Sequence, residues 1–147
     1  MSEEPFYLDF LVRDYECDMQ GVVNNAVYQN YLEHARHEYL KGLGIDFCAL
    51  ARRGINLVVV RAELDYKRSL QSGDRFRVVI RLERVSPLRF AFLQEVRSVP
   101  EAKVILKAII IGTVLSSGGR QKVPEEISRV LDRHETDHLQ KAVLQKR

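Results

Sequence analysis

A single carboxylate precedes a helix pattern in the segment "YECDMQGVVNNAVYQNYLEHARHEYLKGLG", residues 15–44. Asp18 lies in a turn rich in glycine and asparagine, a few residues before apolar residues begin to recur at helical spacing. The first N–H groups of a helix have no partner inside it, and together they carry roughly half a positive charge. An acid beside them can attack an acyl carbon, or activate water against it, while the amides hold its oxygen. On spacing alone, however, an acid that only stabilises the turn is the more common arrangement.

The periodicity of apolar residues predicts the elements that would position this turn. Residues 6–13, "FYLDFLVR", have the alternation of a first strand. The helix pattern predicts about 17 residues that begin at an N-cap of Asn24 or Asn25 and stop near Gly44. The stretch "DFCALARRG" predicts a short second helix that ends at Gly54.

After the second helix the period changes to two. Four segments have strand patterns: "LVVVRAELDYKRSL", "DRFRVVIRLERV", "LRFAFLQEVRSV" and "KVILKAIIIGTVL". Their connections are too short for crossover helices and predict a four-stranded antiparallel meander. A polar C-terminal helix is predicted over about residues 124–147. The expected fold class is α+β, with a five-stranded antiparallel sheet on one long helix, in a single domain of residues 1–147 whose core covers about residues 6–131.

Composition and charge exclude several classes of protein. The chain has 147 residues, of which 46% are hydrophobic and 29% charged, as in one globular domain. A formal net charge of +3 and dispersed basic residues give no sign of nucleic-acid binding. The acidic N-terminus lacks a signal pattern and no apolar run suffices for a membrane span, so we expect no membrane association. Cys17 and Cys48 make no disulfide framework, which predicts a cytoplasmic location.

The order of the motifs resembles one known family. "RDYECD" at 13–18, "GVVNN" at 21–25, Tyr28 and "EHAR" at 33–36 resemble the hotdog-fold acyl thioesterases of the 4-hydroxybenzoyl-CoA thioesterase type. The stretches "LDYKRSLQSGDRFRVVIRL", "LRFAFLQEV" and "GRQKVPEEI" follow in the family's order, so the resemblance covers roughly residues 6–131. Asn25 stands where many bacterial members have a histidine, and the Asn24–Asn25 pair is similar to that of the plant acyl-lipid thioesterases that act on acyl carrier protein substrates.

The resemblance implies a hotdog fold and the hydrolysis of an acyl-CoA or acyl-carrier-protein thioester to acid and thiol. It makes Asp18 the nucleophile or general base, and a backbone N–H at Asn25 the group that polarises the carbonyl. The other substrate-binding positions that it implies are Asn24, Gly21, Val22 and Tyr28. It also implies a homodimer with sheets joined edge to edge and sites at the subunit interface, pairing further into a homotetramer. The alternative is a non-catalytic module of the same fold that binds acyl ligands.

Other groups of residues give weaker predictions. Basic residues that suit phosphates of coenzyme A, or equally a solvated strand, are Arg61, Lys67 and Arg89. The sequence "HETDH" at 134–138 has the spacing of a zinc protease site, but its charged surroundings favour a solvated helix. Acidic neighbours disfavour Cys17 as a nucleophile, and Glu33 is expected to pair with Arg36 in helix packing. No metal or other cofactor is expected, apart from coenzyme A as part of the substrate.

Overall fold

The computed structural model describes residues 5–132. Its strands are β1 (Phe6–Leu11), β2 (Asn56–Tyr66), β3 (Arg75–Ser86), β4 (Arg89–Ser98), β5 (Val104–Ser116) and β6 (Gly119–Gln121). Its helices are α1 (Asn25–Gly42) and α2 (Phe47–Arg52), with a 3-10 turn at Asp14–Glu16 and a further helix over residues 125–132. The predicted α+β class, with one long helix against an antiparallel sheet, is confirmed. The three-residue strand β6 was not predicted, because "GRQ" is too short to show a period.

The strands form one antiparallel sheet in the order β1-β3-β4-β5-β2, with β6 paired to β5. Strands β3, β4 and β5 form a meander, but the expected pairing of β2 with β3 is wrong. Strand β2 pairs with β5 and becomes an edge strand, while β1 takes the place beside β3. The connection between β2 and β3 is not a hairpin, since it buries Leu70 and passes from one side of the sheet to the other.

Helix α1 begins where its sequence supplies a cap. Asn24 is the N-cap, and its side-chain Oδ1 accepts a hydrogen bond from the Ala26 N–H at 2.9 Å. One face of the helix is buried at the spacing that the sequence predicted, and its members are Tyr28, Tyr31, Leu32, Ala35, Tyr39 and Leu40. This face packs on the concave side of the sheet, where Phe76, Val78 and Ile80 are buried. The packing fixes the start of α1 beside one end of the sheet.

The C-terminal helix is not polar over its described part. Ile127, Val130 and Leu131 are buried in the main core. Arg84 ties the helix to β3 by donating hydrogen bonds to Ser128 and to Asp132, at 2.8 and 2.9 Å. The expectation of a polar helix is therefore wrong for residues 125–132, because its apolar residues recur at i, i+3 and i+4. The "HETDH" motif lies outside the described residues.

Candidate active site

Residues 17–23 form a tight turn that is fixed on both sides. The Asp18 N–H donates to the Val22 carbonyl at 2.8 Å, and the Gly21 N–H donates to the Asp18 carbonyl at 3.0 Å. Gly21 has a φ of +81°, a left-handed conformation that favours glycine. Val22 is half-buried and makes a β-bridge with Gln71. The sequence predicted a glycine turn here, and the structure shows what holds it in place.

The Asp18 carboxylate lies at the exposed side of this turn. Its Oδ1 accepts a hydrogen bond from the Gln20 N–H at 2.9 Å. The other carboxylate oxygen makes no hydrogen bond to any residue that the structure describes. Asp18 therefore has one oxygen that orients the side chain and one that is available to a ligand or to water.

The amides at the start of α1 are not equivalent. The Asn24 N–H donates to the Glu16 carbonyl at 3.0 Å, and the Val27 N–H donates to the Asn24 carbonyl at 2.9 Å. The Ala26 N–H is used by the cap. The Asn25 N–H is left without a hydrogen-bond partner in the described part of the chain. Of these amides, the Asn25 N–H is therefore the free one within the described residues, and Asn24 serves as the cap.

A pair of tyrosines supports this helix start. Tyr28 is buried, and its hydroxyl accepts a hydrogen bond from the Leu70 N–H at 3.1 Å, so its role is to hold α1 against the β2–β3 connection. Tyr66 at the end of β2 contacts the Tyr28 ring, with centroids 5.7 Å apart. The Tyr66 hydroxyl donates to the Asn25 carbonyl at 3.1 Å. Tyr66 was not among the predicted site residues, because nothing in a strand pattern says which helix its end will meet.

The three predicted phosphate-binding residues do not lie together in the structure. Lys67 directly follows β2 and is exposed at the same end of the sheet as Asn25. Arg61 lies in mid-strand and forms an ion pair with Glu63. Arg89 pairs with Thr113, whereas the end of β2 pairs with Leu106; these positions of β5 are roughly 23 Å apart. Lys67 alone is near the turn.

The expected Glu33–Arg36 pair is replaced by a bond between helix and sheet. Arg36 Nη1 donates to the side-chain oxygen of Gln94 on β4 at 3.0 Å. Gln94 is buried, and its amide nitrogen donates to the Leu32 carbonyl at 3.0 Å. The Arg36 guanidinium also lies 5.9 Å from the centroid of the Phe92 ring. Glu33 is instead 3.9 Å from His37.

Both cysteines are free thiols. Cys17 is a half-buried free thiol whose Sγ is 4.0 Å from the Arg13 carbonyl, and Cys48 is exposed on α2. Within residues 5–132, no three His, Cys, Asp or Glu side chains come close enough together to hold a metal ion. None of the helices in that range is both long and apolar enough to cross a membrane.

Comparison of the sequence with models of known protein families identifies the family of this chain. Residues 12–132 match the model of the thioesterase-like superfamily. The chain belongs to this superfamily. This membership confirms the resemblance that the motifs indicated. The match includes both Asp18 and the start of α1.

Individual relatives agree with that assignment. An acyl-acyl carrier protein thioesterase of Arabidopsis thaliana, a chloroplastic protein, is 38% identical over 121 residues, which are 82% of this chain and 64% of that relative. A hypothetical protein of Aquifex aeolicus is 31% identical, with a TM-score of 0.80 over 86% of this chain and 99% of that structure. A 1,4-dihydroxy-2-naphthoyl-CoA thioesterase from Synechocystis is 20% identical, with a TM-score of 0.81 over 88% and 97% of the two chains. The solved structures confirm the hotdog fold.

Proposed function

We propose that the protein is an acyl thioesterase that hydrolyses an acyl-CoA or acyl-carrier-protein thioester to the free acid and the thiol. The observation that carries the proposal is that a free carboxylate oxygen in the turn and a free backbone N–H at the start of α1 lie seven residues apart in the chain. Asp18 presents a carboxylate oxygen and Asn25 presents an N–H, and neither has a partner within the described residues. The superfamily membership and the Arabidopsis relative support the same activity.

The two groups supply what thioester hydrolysis requires. The Asn25 N–H, strengthened by the helix dipole, holds the carbonyl oxygen as negative charge develops on it. The Asp18 oxygen either attacks the carbonyl carbon, forming an acyl anhydride that water then cleaves, or removes a proton from the water that attacks. In both routes the carbon–sulfur bond breaks and the sulfur leaves as a thiolate. Since thiols have a pKa of about 8.5, this departure needs little help from an acid.

The exposed outer edge of strand β2 supports a dimer in which a second copy of the chain contributes to the active site. Its outer edge pairs with no strand among residues 5–132, and Val59 and Val60 on it are 52% and 41% exposed. A long edge strand with exposed apolar residues is a surface for pairing with another strand. Antiparallel pairing of two β2 edges about a two-fold axis puts the Tyr66 end of one beside the Asn56 end of the other. A further pairing of dimers into a tetramer and a cytoplasmic location stay predictions.

The test is a panel of aromatic, short, medium and long acyl-CoA esters, with acyl-carrier-protein equivalents, followed by release of free thiol. Turnover of a subset of these esters is the expected result. Tight binding of the esters without turnover would instead identify a non-catalytic acyl-binding module. Val60→Lys, which places a charge on the β2 edge, should reduce the molar mass measured by sedimentation and lower turnover in parallel. An unchanged oligomer would contradict the edge-to-edge dimer.

A further inference from the structure

A cavity of about 220 Å³ lies between α1, α2 and the strands β2, β4 and β5. Most of its walls are apolar and come from Leu40, Phe47, Leu57, Val58, Val59, Phe90 and Phe92. A cavity of this size and lining holds an aromatic ring or a short stretch of alkyl chain. Three polar side chains also line it: the half-buried Arg36, and the exposed Glu33 and His37, which lie 3.9 Å from each other.

Arg36 is incompletely satisfied where it stands. It makes one hydrogen bond, to Gln94, and no ion pair with any described carboxylate. Burial lowers the pKa of Arg36 from its ordinary value, with the more distant charge of Glu33 acting in the opposite direction. A guanidinium carries several N–H donors, and a half-buried cation without a bound anion or acceptor is costly. The remaining donors are therefore available to a ligand in the cavity.

The support beneath Arg36 is rigid. Gln94 is 2% exposed, and its amide is held by the Leu32 carbonyl of α1. Its side-chain oxygen faces Arg36 because the amide nitrogen is already used. The Phe92 ring lies under the guanidinium. This arrangement orients Arg36 through a neutral partner, while Glu33 in the same lining is 3.9 Å from His37 and acts on Arg36 only through its more distant charge.

The cavity lies far from the catalytic turn of its own protomer. Arg36 is eleven residues along α1 from Asn25, which is roughly 16 Å at the rise of an α-helix. Leu57 and Val59 of the cavity belong to the Asn56 end of β2, whereas the turn lies at the Tyr66 end. Two-fold pairing of the β2 edges would bring the cavity of one protomer to the turn of the other.

We propose that this cavity receives the far end of the acyl group that is bound at the partner's Asp18, and that Arg36 selects acyl groups with an oxygen acceptor there, such as a hydroxyl or a carboxylate. The inference rests on the proposed thioesterase function and names its class of substrate. A purely alkyl chain in the cavity displaces water from the Arg36 N–H groups and offers no acceptor in its place, so hydrogen bonds are lost. An oxygenated chain replaces them with a charge-assisted bond, which corresponds to a preference of about 10- to 100-fold.

The experiment compares kcat/KM for esters of matched length. Hexanoyl-CoA is compared with 6-hydroxyhexanoyl-CoA and adipoyl-CoA, and dodecanoyl-CoA with its terminal hydroxyl and carboxyl forms. We expect at least one oxygenated ester to exceed its alkyl counterpart by tenfold or more, and Arg36→Met, which keeps the apolar stem, to abolish that preference. Hydrolysis of all esters with no oxygen preference would overturn this inference while leaving the proposed function intact. Absence of hydrolysis throughout would instead contradict the proposed function.

A mixed dimer tests whether the cavity serves the partner subunit. The dimer is formed from one Asp18→Asn chain and one Arg36→Met chain. Its one remaining Asp18 carboxylate is on the Arg36→Met chain, and its one remaining Arg36 guanidinium is on the Asp18→Asn chain. Restored preference for the oxygenated ester is expected if the site spans two protomers. A mixed dimer that hydrolyses the esters without preference would show that each cavity serves its own Asp18.

A second variant keeps the inference testable if Arg36→Met proves unstable. Val59 is 52% exposed and lines the cavity, so Val59→Phe narrows the cavity. Because Val59 also lies on the β2 edge, sedimentation must show that the variant keeps the oligomer of the parent. Val85→Phe on β3 is the matched control, since Val85 is also 52% exposed and does not line the cavity. We expect Val59→Phe to lower kcat/KM at least tenfold for the six-carbon and longer esters while sparing acetyl-CoA. Equal kinetics of the two phenylalanine variants would overturn the assignment of the cavity.

Discussion

Substitutions of Asn24 can distinguish its role as the N-cap of α1 from the proposed role of the neighbouring Asn25 N–H in hydrolysis. Asn24→Asp retains a side-chain oxygen for the Ala26 N–H, and Asn and Asp are similarly good caps. The added negative charge interacts favourably with the helix dipole, by about 0.3–1 kcal/mol at an exposed site. We therefore expect the free energy of unfolding of Asn24→Asp to equal that of the parent or to exceed it slightly.

The same charge should slow hydrolysis. An oxyanion held about 3 Å from the Asn25 nitrogen would share the first turn of α1 with the new carboxylate, whose oxygen lies 2.9 Å from the Ala26 nitrogen. We take their separation as about 6 Å. Two like charges at that distance repel by about 3 kcal/mol at an effective dielectric constant of about 20. This repulsion acts on the transition state and corresponds to a loss of about 100-fold in kcat.

The assay pairs urea unfolding with thiol release at saturating acyl-CoA. Asn24→Ala is the control, because it removes the cap and adds no charge. It should cost about 1 kcal/mol of stability and slow kcat far less than Asn24→Asp does. An Asn24→Asp enzyme with parental kcat and unchanged stability would show that no negative charge develops beside Asn25. Equal losses of kcat in the two variants would assign the effect to capping alone.

Two further predictions concern the core. Gly112→Ala should destabilise the fold by about 1–3 kcal/mol in urea unfolding, because a Cβ there would lie 2.6 Å from the Phe90 ring. Gly118→Ala, whose Cβ would meet nothing closer than the Ser116 Oγ at 4.0 Å, is the control, and equal stability of the two would contradict the steric argument. Burial raises the pKa of Tyr39 from 10.0 to about 12. Its contribution to stability is therefore complete below pH 10 and is lost as the pH rises towards 12. Tyr39→Phe should unfold less readily over that interval, and parallel alkaline curves for the two proteins would refute this.

Local rules predicted the glycine turn around Asp18 and the helix after it. The Asn24 cap, the buried face of α1 and the glycine stop each depend on residues a few positions apart, so a sequence pattern contains the necessary information. The same holds for the pairing of β3, β4 and β5, whose connections are short. The family resemblance pointed to the Asn25 N–H, but the choice between Asn24 and Asn25 as the N-cap could not be predicted from spacing. It depends on the Glu16 carbonyl, which bonds to Asn24 across the turn.

Non-local contacts decided what the sequence could not show. Strand β2 was expected beside β3, but it pairs with β5 at an edge of the sheet, and the connection to β3 crosses the sheet and buries Leu70. Arg36 was expected to pair with Glu33 on its own helix, yet its partner is Gln94, 58 positions away. A buried neutral acceptor on a neighbouring strand competes better for the guanidinium than an exposed carboxylate, whose ion pair is weakened by water. Tyr66 was missed for the same reason, since its contact with Asn25 spans 41 positions.

The central claim is that the Asp18 carboxylate carries out the hydrolysis, and Asp18→Asn tests it most directly. The substitution is isosteric and keeps an oxygen that can accept the Gln20 N–H, so the turn, the melting temperature and the oligomer should be unchanged. Release of free thiol from the best acyl-CoA of the panel should fall by about 100-fold or more, the range for losing a catalytic base. An Asp18→Asn protein that folds normally and turns over this ester at the parental rate would contradict the account.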